Sequence, residues 1–209
     1  MSIRLLDCTL RDGGYINDWK FGYRTAKSII QKLVDSNADY VEVGFLRNCS
    51  YDKNATLFNN IAELKKILPR EQKNTKFTVM ALHNKYDITK LEPNDGTVEA
   101  VRVTFHDYDI DEGLEFVKKV MEKGYKCFCN PINIMGYSDQ EILNLIQKIN
   151  QIKPYAFSIV DTFGSMIKSD LLRIYSLLEH NLDKSIVIGL HLHENLSLSY
   201  SLAQEFIGM

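Results

Sequence analysis

Seven short apolar runs alternate with longer amphipathic ones along this chain, and that alternation limits the fold more than any other feature. The apolar runs cover residues 3–10, 40–46, 77–82, 98–105, 125–132, 155–160 and 186–192. Apolar residues recur at helical spacing over 23–35, 57–68, 112–123, 139–149, 169–179 and 196–207, and more weakly over 84–95. Short runs predict strands and long periodic runs predict helices. The strand candidates are apolar throughout rather than alternating, which is the pattern of a parallel sheet covered by helices. A strand-helix repeat of roughly 25–35 residues predicts an α/β fold, either a TIM-type (β/α)8 barrel or a doubly wound sheet.

Helix signals agree with this division. Ser138 and Glu141 form an S-x-x-E capping box. Asp109 or Asp111 is the expected cap of the helix after the fourth strand, and Gly124 its expected stop. The chain of 209 residues is read as one domain spanning 1–209, with a hydrophobic fraction of 45% that excludes disorder. A net charge of −2 leaves no electrostatic footprint for nucleic acid, and no apolar run predicts a membrane span. Cys8, Cys49, Cys127 and Cys129 lie in or beside apolar runs. Reduced thiols in a cytoplasmic protein are expected, not a disulfide frame.

The polar residues decide between the two architectures. Asp12, Glu42, Asn130, Asp161, His191 and His193 lie within or at the ends of the predicted strands. A barrel gathers C-terminal strand ends at one mouth, where its active site sits. A doubly wound sheet usually carries a glycine-rich phosphate loop, and no G-x-G-x-x-G follows any strand here. The expectation is therefore a TIM (β/α)8-type barrel. Only seven strands are counted, so the eighth βα unit is expected to be absent, leaving sheet edges that favour a homo-oligomer.

Three clusters carry possible chemistry. His191 and His193, two apart on a strand, share a face. With the carboxylate of Asp12 they offer three N/O ligands, suited to Mn²⁺ or Mg²⁺ with waters completing an octahedron, or to Zn²⁺ or Co²⁺. The bland alternative is a hydrogen-bonded pair in a polar core. Arg11 ends the first apolar run and needs a partner, for which Glu42 is the candidate. That pair either closes the sheet or also orients a guanidinium fork toward a carboxylate or enolate. Asp161, Thr162, Asn130 and His106 sit at strand ends, where each either satisfies a loop or touches a ligand. Gly13 and Gly14 are read as a sharp turn near a ligand, and Cys127 and Cys129 as core.

The motifs Leu6-Asp7-Cys8-Thr9-Leu10-Arg11-Asp12-Gly13-Gly14, Val41-Glu42-Val43-Gly44-Phe45, Asp161-Thr162-Phe163-Gly164 and Gly189-Leu190-His191-Leu192-His193-Glu194-Asn195 resemble those of the DRE-TIM metallolyases, the HMGL-like family. The 4-hydroxy-2-oxovalerate aldolase group is the nearest in type. The resemblance implies a TIM barrel with a divalent metal held by Asp12, His191 and His193. It implies a substrate-binding Arg11 paired with Glu42, with Gly13, Gly14, Asn130, Asp161 and Thr162 beside the substrate. It also implies C–C cleavage or formation next to a 2-oxo acid, through a pyruvate-like enolate, with an aldehyde as the second product. Two departures stand out. The aldolases place a histidine base where this chain has Tyr15, and the family's eighth strand with its glycine-rich loop is not matched. Tyr15 is thus the positional candidate for the base and His106 the fallback. The rival readings are an acyl-CoA Claisen-type lyase or synthase, and a truncated non-catalytic barrel or binding module.

Overall fold

The computed structural model describes residues 3–71 and 73–209. Strands and helices alternate in chain order, and the described strand pairings are parallel. The chain divides into two units. One comprises Met1–Val103 and Lys119–Lys126, the other Thr104–Lys118 and Cys127–Met209.

In the first unit β1 (Leu6–Asp7) pairs with β2 (Tyr40–Leu46), which pairs on its other side with β4 (Lys76–Leu82). β5 (Ala100–Phe105) follows β4 in the sheet and ends in the second unit. A two-residue strand, β3 (Leu57–Phe58), adds to the C-terminal end of β2. Every residue of β2 is buried, as a parallel strand covered on both faces requires. The helix α3 (Tyr23–Asp35) has the limits expected from its periodicity and buries Ala26, Ile30 and Val34, spaced four apart.

Three predicted elements differ. The first apolar run yields only β1, because the Asp7 carboxylate accepts hydrogen bonds from Thr9 N and Oγ1, both at 3.0 Å, and turns the chain. The carbonyl of Cys8 then accepts from Arg11 N at 3.0 Å and Asp12 N at 2.8 Å. Two one-turn helices result, α1 (Thr9–Asp12) and α2 (Gly14–Asn17). The predicted helix over 57–68 shrinks to α4 (Ile61–Leu64) and a 3₁₀ turn (Lys65–Ile67), since residues 57 and 58 join the sheet. The Asn60 side chain caps α4 by accepting from Glu63 N at 2.9 Å. The weak helical pattern over 84–95 yields a 3₁₀ turn, Ile88–Lys90.

In the second unit β6 (Lys126–Pro131), β7 (Ala156–Val160) and β8 (Val187–His191) are neighbours in that order. The helix α6 (Asp139–Ile152) begins at the predicted Ser138–Glu141 capping box, and α7 (Lys168–Asn181) and α8 (Ser199–Ile207) follow. Arg173 of α7 holds Asp139 of α6 at 2.7 Å. Ile142 and Ile146 of α6, Leu171 and Ile174 of α7, and Phe157 and Ile159 of β7 are all buried. α5 (Ile110–Glu122) ends at Gly124, whose φ of +85° suits glycine. Asp109 directly precedes α5, and its carboxylate reaches back to accept from His106 N at 2.5 Å. β8 is the least covered long strand, with Val187 exposed and the other four residues half-buried.

Candidate active site

In the first unit the site is built on a buried carboxylate. Glu42 is fully buried in β2, and its Oε2 accepts from Arg11 Nε at 2.6 Å and from Arg102 NH1 at 2.9 Å. Arg11 is 5% exposed and Arg102 3%. The expected Arg11–Glu42 pair is therefore a triad. Arg102 was not among the sequence candidates. Its signal was a single cation in the otherwise apolar run over 100–105, which a buried strand accepts only if the charge is paired. Arg11 also holds Asp12 through NH1 at 2.8 Å, so its fork spans the buried Glu42 and the half-buried Asp12. Burial opposes the charge on Arg11, but Glu42, Cys8 and Asp12 outweigh it and raise its pKa further. Cys8 accepts from Arg102 NH1 at 3.2 Å, and burial pushes its thiol up to about 11 against the opposing pull of Arg102.

The two glycines serve packing rather than an unusual backbone. Gly13 has φ −60° and ψ −17°, open to any residue. Gly14 is buried under Trp19, and a Cβ there would lie 2.0 Å from Trp19 Cδ1. The Trp19 indole donates to the carbonyl of Arg11 at 2.7 Å and packs edge-on to Phe45 at 5.4 Å. Trp19 thus braces the segment that carries Arg11 and Asp12. Tyr15 is 63% exposed, with its ring edge-on to Trp19 and Phe45, and among the described residues its hydroxyl has no hydrogen-bond partner.

In the second unit the backbone of Asp161 binds both histidine positions. Val160 and His191 are in register, and Asp161 N donates to the carbonyl of His191 at 2.9 Å. The carbonyl of Asp161 lies 2.6 Å from His193 Nδ1. A carbonyl only accepts, so Nδ1 carries the proton and Nε2 the lone pair, the tautomer a metal-ligating histidine needs. The rings of His191 and His193 are 4.9 Å apart at 88°. His191 and His193, in the second unit, are nitrogen donors of the kind a divalent ion takes, and Asp12, in the first unit, is a carboxylate donor.

The remaining sequence candidates are fastened to loops. The Asp161 carboxylate accepts from Ser165 N at 3.0 Å and Met166 N at 3.3 Å, closing the loop after β7. Thr162 Oγ1 accepts from Asn133 N at 2.7 Å, and the buried Asn130 donates to the carbonyl of Phe128 at 3.0 Å. Asn195 Nδ2 donates to the carbonyl of Phe163 at 2.7 Å, tying the loop after β8 to the loop after β7. Gly164 is needed there, with φ +62° and Asn195 N 2.8 Å from where its Cβ would stand. His106 follows β5, with Nδ1 3.3 Å from Asp109 Oδ2. Cys127 and Cys129 are fully buried core residues, as expected.

An α/β fold of the TIM-barrel type, bearing a buried arginine–glutamate pair and a histidine pair at the end of its last strand, defines the class of protein. The HMGL-like family profile matches residues 2–205, and the chain belongs to that family, the DRE-TIM metallolyases. Solved structures share the fold. The N-terminal domain of a putative aldolase from Bacteroides vulgatus superposes with a TM-score of 0.77 at 22% identity, covering 99% of this chain and 69% of that one. HMG-CoA lyase from Bacillus subtilis gives 0.72 at 13% identity, covering 99% and 73%. The carboxyl transferase domain of Rhizobium etli pyruvate carboxylase gives 0.75 at 14%, covering 99% and 38%. Family membership supports the coarse functional class, a metal-dependent lyase or aldolase. Among the described residues no helix is long and apolar enough to cross a membrane.

Proposed function

We propose that the chain is a divalent-metal-dependent aldolase that cleaves or forms a C–C bond next to a small 2-oxo acid, in the manner of the 4-hydroxy-2-oxovalerate aldolases. The observation that carries this reading is the buried guanidinium of Arg11, fixed by Glu42 and reaching the proposed metal ligand Asp12. Such a fork suits a planar carboxylate or an enolate. A likeness to a carboxyl transferase solved with 3-bromopyruvate agrees with a substrate of that size.

In this proposal Asp12, His191 and His193 hold Mn²⁺ or Mg²⁺, with Zn²⁺ or Co²⁺ as alternatives. The bound ion supplies Lewis acidity toward the keto and carboxylate oxygens of the 2-oxo acid. Arg11 stabilises the negative charge that develops on the enolate oxygen, and Glu42 keeps the guanidinium aimed. Gly13, Gly14, Asn130, Asp161 and Thr162 line or shape the substrate site. Tyr15 and His106 are the candidates for the base that takes the 4-hydroxyl proton as the aldehyde leaves. A homo-oligomer formed along the poorly covered β8 edge belongs to the same proposal, and light scattering tests it.

The direct experiment is to supply 4-hydroxy-2-oxovalerate with Mn²⁺ and follow pyruvate release with lactate dehydrogenase. Metal-dependent release that is lost on chelation is expected. Cleavage of HMG-CoA instead would support the acyl-CoA reading, which the likeness to HMG-CoA lyase favours. A chain that turns over neither is a non-catalytic module.

A further inference from the structure

We propose that Arg47 receives a second carboxylate of the substrate, so that the acid this site takes is a short 2-oxo diacid rather than a monoacid. The inference rests on the aldolase reading above, which gives the first carboxylate to Arg11, and it adds the substrate class. Every residue it uses belongs to the first unit.

An irregularity in β2 sets the geometry. Glu42 and Phe45 are three apart, and regular alternation would send them to opposite faces of the strand. The register with β4 shifts between these two residues. Gly44 takes φ +149° there, and a Cβ on it would lie 2.0 Å from the Thr56 carbonyl oxygen. Such an irregularity re-aims the side chains beyond it. Glu42 and Phe45 therefore both meet Arg11, the carboxylate 2.6 Å from Nε and the ring centroid 5.8 Å from Cζ. Arg47, two residues beyond Phe45, falls on the same face, and its Cζ stands 4.6 Å from the same centroid. The backbone N of Arg47 donates to the carbonyl of Phe58 at 2.9 Å, which continues the β2–β3 pairing and fixes the point from which the side chain leaves. One phenylalanine ring thus carries two guanidiniums, just past the C-terminal end of a parallel strand. That is where an α/β barrel keeps its chemistry.

The cations of this unit differ in what balances them. Arg11 and Arg102 share the Glu42 carboxylate, at 2.6 Å and 2.9 Å. Arg47 is half-buried, yet among the described residues its side chain has no hydrogen-bonded or ion-paired partner. Burial works against its charge, and the groups that oppose burial are Tyr15 and Cys49, neither of them a carboxylate. A partly desolvated cation without an anion is costly. Its place over the Phe45 ring offsets some of that cost. A ligand carboxylate would offset the rest, because a guanidinium fork grips a planar anion through two bonds. A short diacid fits the pair of cations: the carboxylate beside the keto group lies on Arg11, and the one at the far end of the chain on Arg47. In the aldol, that second carboxylate belongs to the half released as the aldehyde.

Isothermal titration of the chain with Mn²⁺ present tests this by comparing 2-oxoglutarate with 2-oxovalerate. The two acids share one carbon skeleton and differ only in a terminal carboxylate against a methyl. Neither has the 4-hydroxyl that cleavage needs. The diacid is expected to bind at least about tenfold more tightly, the reach of one charge-assisted pair. Arg47→Met and Arg47→Gln, both neutral, are each expected to remove that preference, and either one that folds decides. Arg24→Met, which removes an exposed cation of α3, is expected to keep the wild-type ratio. Equal binding of the two acids, no binding of either, or a full preference in a folded Arg47 variant overturns the proposal. Pyruvate release is followed in the same preparations. Release from 4-hydroxy-2-oxovalerate without any preference in the titrations sinks this proposal and leaves the aldolase reading. A preference that depends on Arg47, with no cleavage of 4-hydroxy-2-oxovalerate or 4-hydroxy-2-oxoglutarate, removes the aldolase reading and leaves a diacid site.

Discussion

Replacing Glu42 with glutamine removes the buried negative charge that two buried cations share. The carboxylate is fully buried and accepts from Arg11 at 2.6 Å and from Arg102 at 2.9 Å. Charges about 4 Å apart interact by about 4 kcal/mol at an effective dielectric constant of about 20. The amide keeps an acceptor oxygen but loses both attractions, and the two guanidiniums then repel each other. Removing one partner of a buried pair costs about 3–5 kcal/mol. In a chain of this size each kcal/mol shifts Tm by roughly 2–4 °C, so Glu42→Gln is expected to melt roughly 6–20 °C below wild type. A double-mutant cycle with Arg102→Met separates charge from packing. The single Arg102 variant leaves Glu42 paired with Arg11 and is expected to be the milder of the two. In the double variant one of the two cations is gone. Its destabilisation, followed by urea unfolding, is therefore expected to fall short of the sum of the single effects by at least about 1 kcal/mol. Additivity within about 0.5 kcal/mol would refute the shared-carboxylate account.

Three further outcomes follow from the same geometry. Gly14→Ala drives a methyl into Trp19 and is expected to cost about 1–3 kcal/mol, with a change in tryptophan emission as the indole leaves its place. Thr56→Val removes the buried hydroxyl that donates to the carbonyl of Leu10 at 2.7 Å, and thermal melting should register a loss of about 1–3 kcal/mol. Cys8, held near 11 by burial, is expected to stay a thiol at pH 8 and to resist iodoacetamide in peptide mass maps, reacting faster as pH approaches 11. Because its folded pKa is raised, the folded state holds that proton more tightly than the unfolded chain does. The associated stability is complete below about 9, the usual thiol value, and is lost as pH rises through the folded value.

What the sequence disclosed was set by how local each determinant is. The strands over 40–46 and 155–160 and the helix over 23–35 were readable because one period governs each from end to end. The Ser138–Glu141 cap was readable because both partners lie within four residues. The apolar run over 3–10 overstates the first strand, which is Leu6–Asp7. Leu10 continues the apolar run and is fully buried, yet the Asp7–Thr9 bonds had already bent the chain into α1. Hydrophobicity does not distinguish a buried strand residue from a buried residue on a one-turn helix. The same ambiguity hid β3, where a two-residue pairing with β2 consumed the start of a helical pattern. At the site, Arg11–Glu42 was legible because a strand-end cation demands a partner. The second claimant on that carboxylate, Arg102, lies 60 residues further along and is joined to it only by the fold. Asp109 was recognised as a helix-start residue, but its hold on the His106 ring depends on a reach-back geometry that sequence spacing does not specify.

The central claim is that Asp12, His191 and His193 ligate one divalent ion and that Arg11 stands by to receive a 2-oxo acid. Isothermal titration of the metal-free chain with Mn²⁺, then with oxalate as a stable mimic of the pyruvate enolate, tests it most directly. The account predicts one Mn²⁺ per chain, oxalate binding only after Mn²⁺ is present, loss of both in a folded His191→Ala/His193→Ala variant, and loss of oxalate binding alone in Arg11→Met. Oxalate binding that is indifferent to metal, or Mn²⁺ binding that survives removal of both histidines, would contradict it.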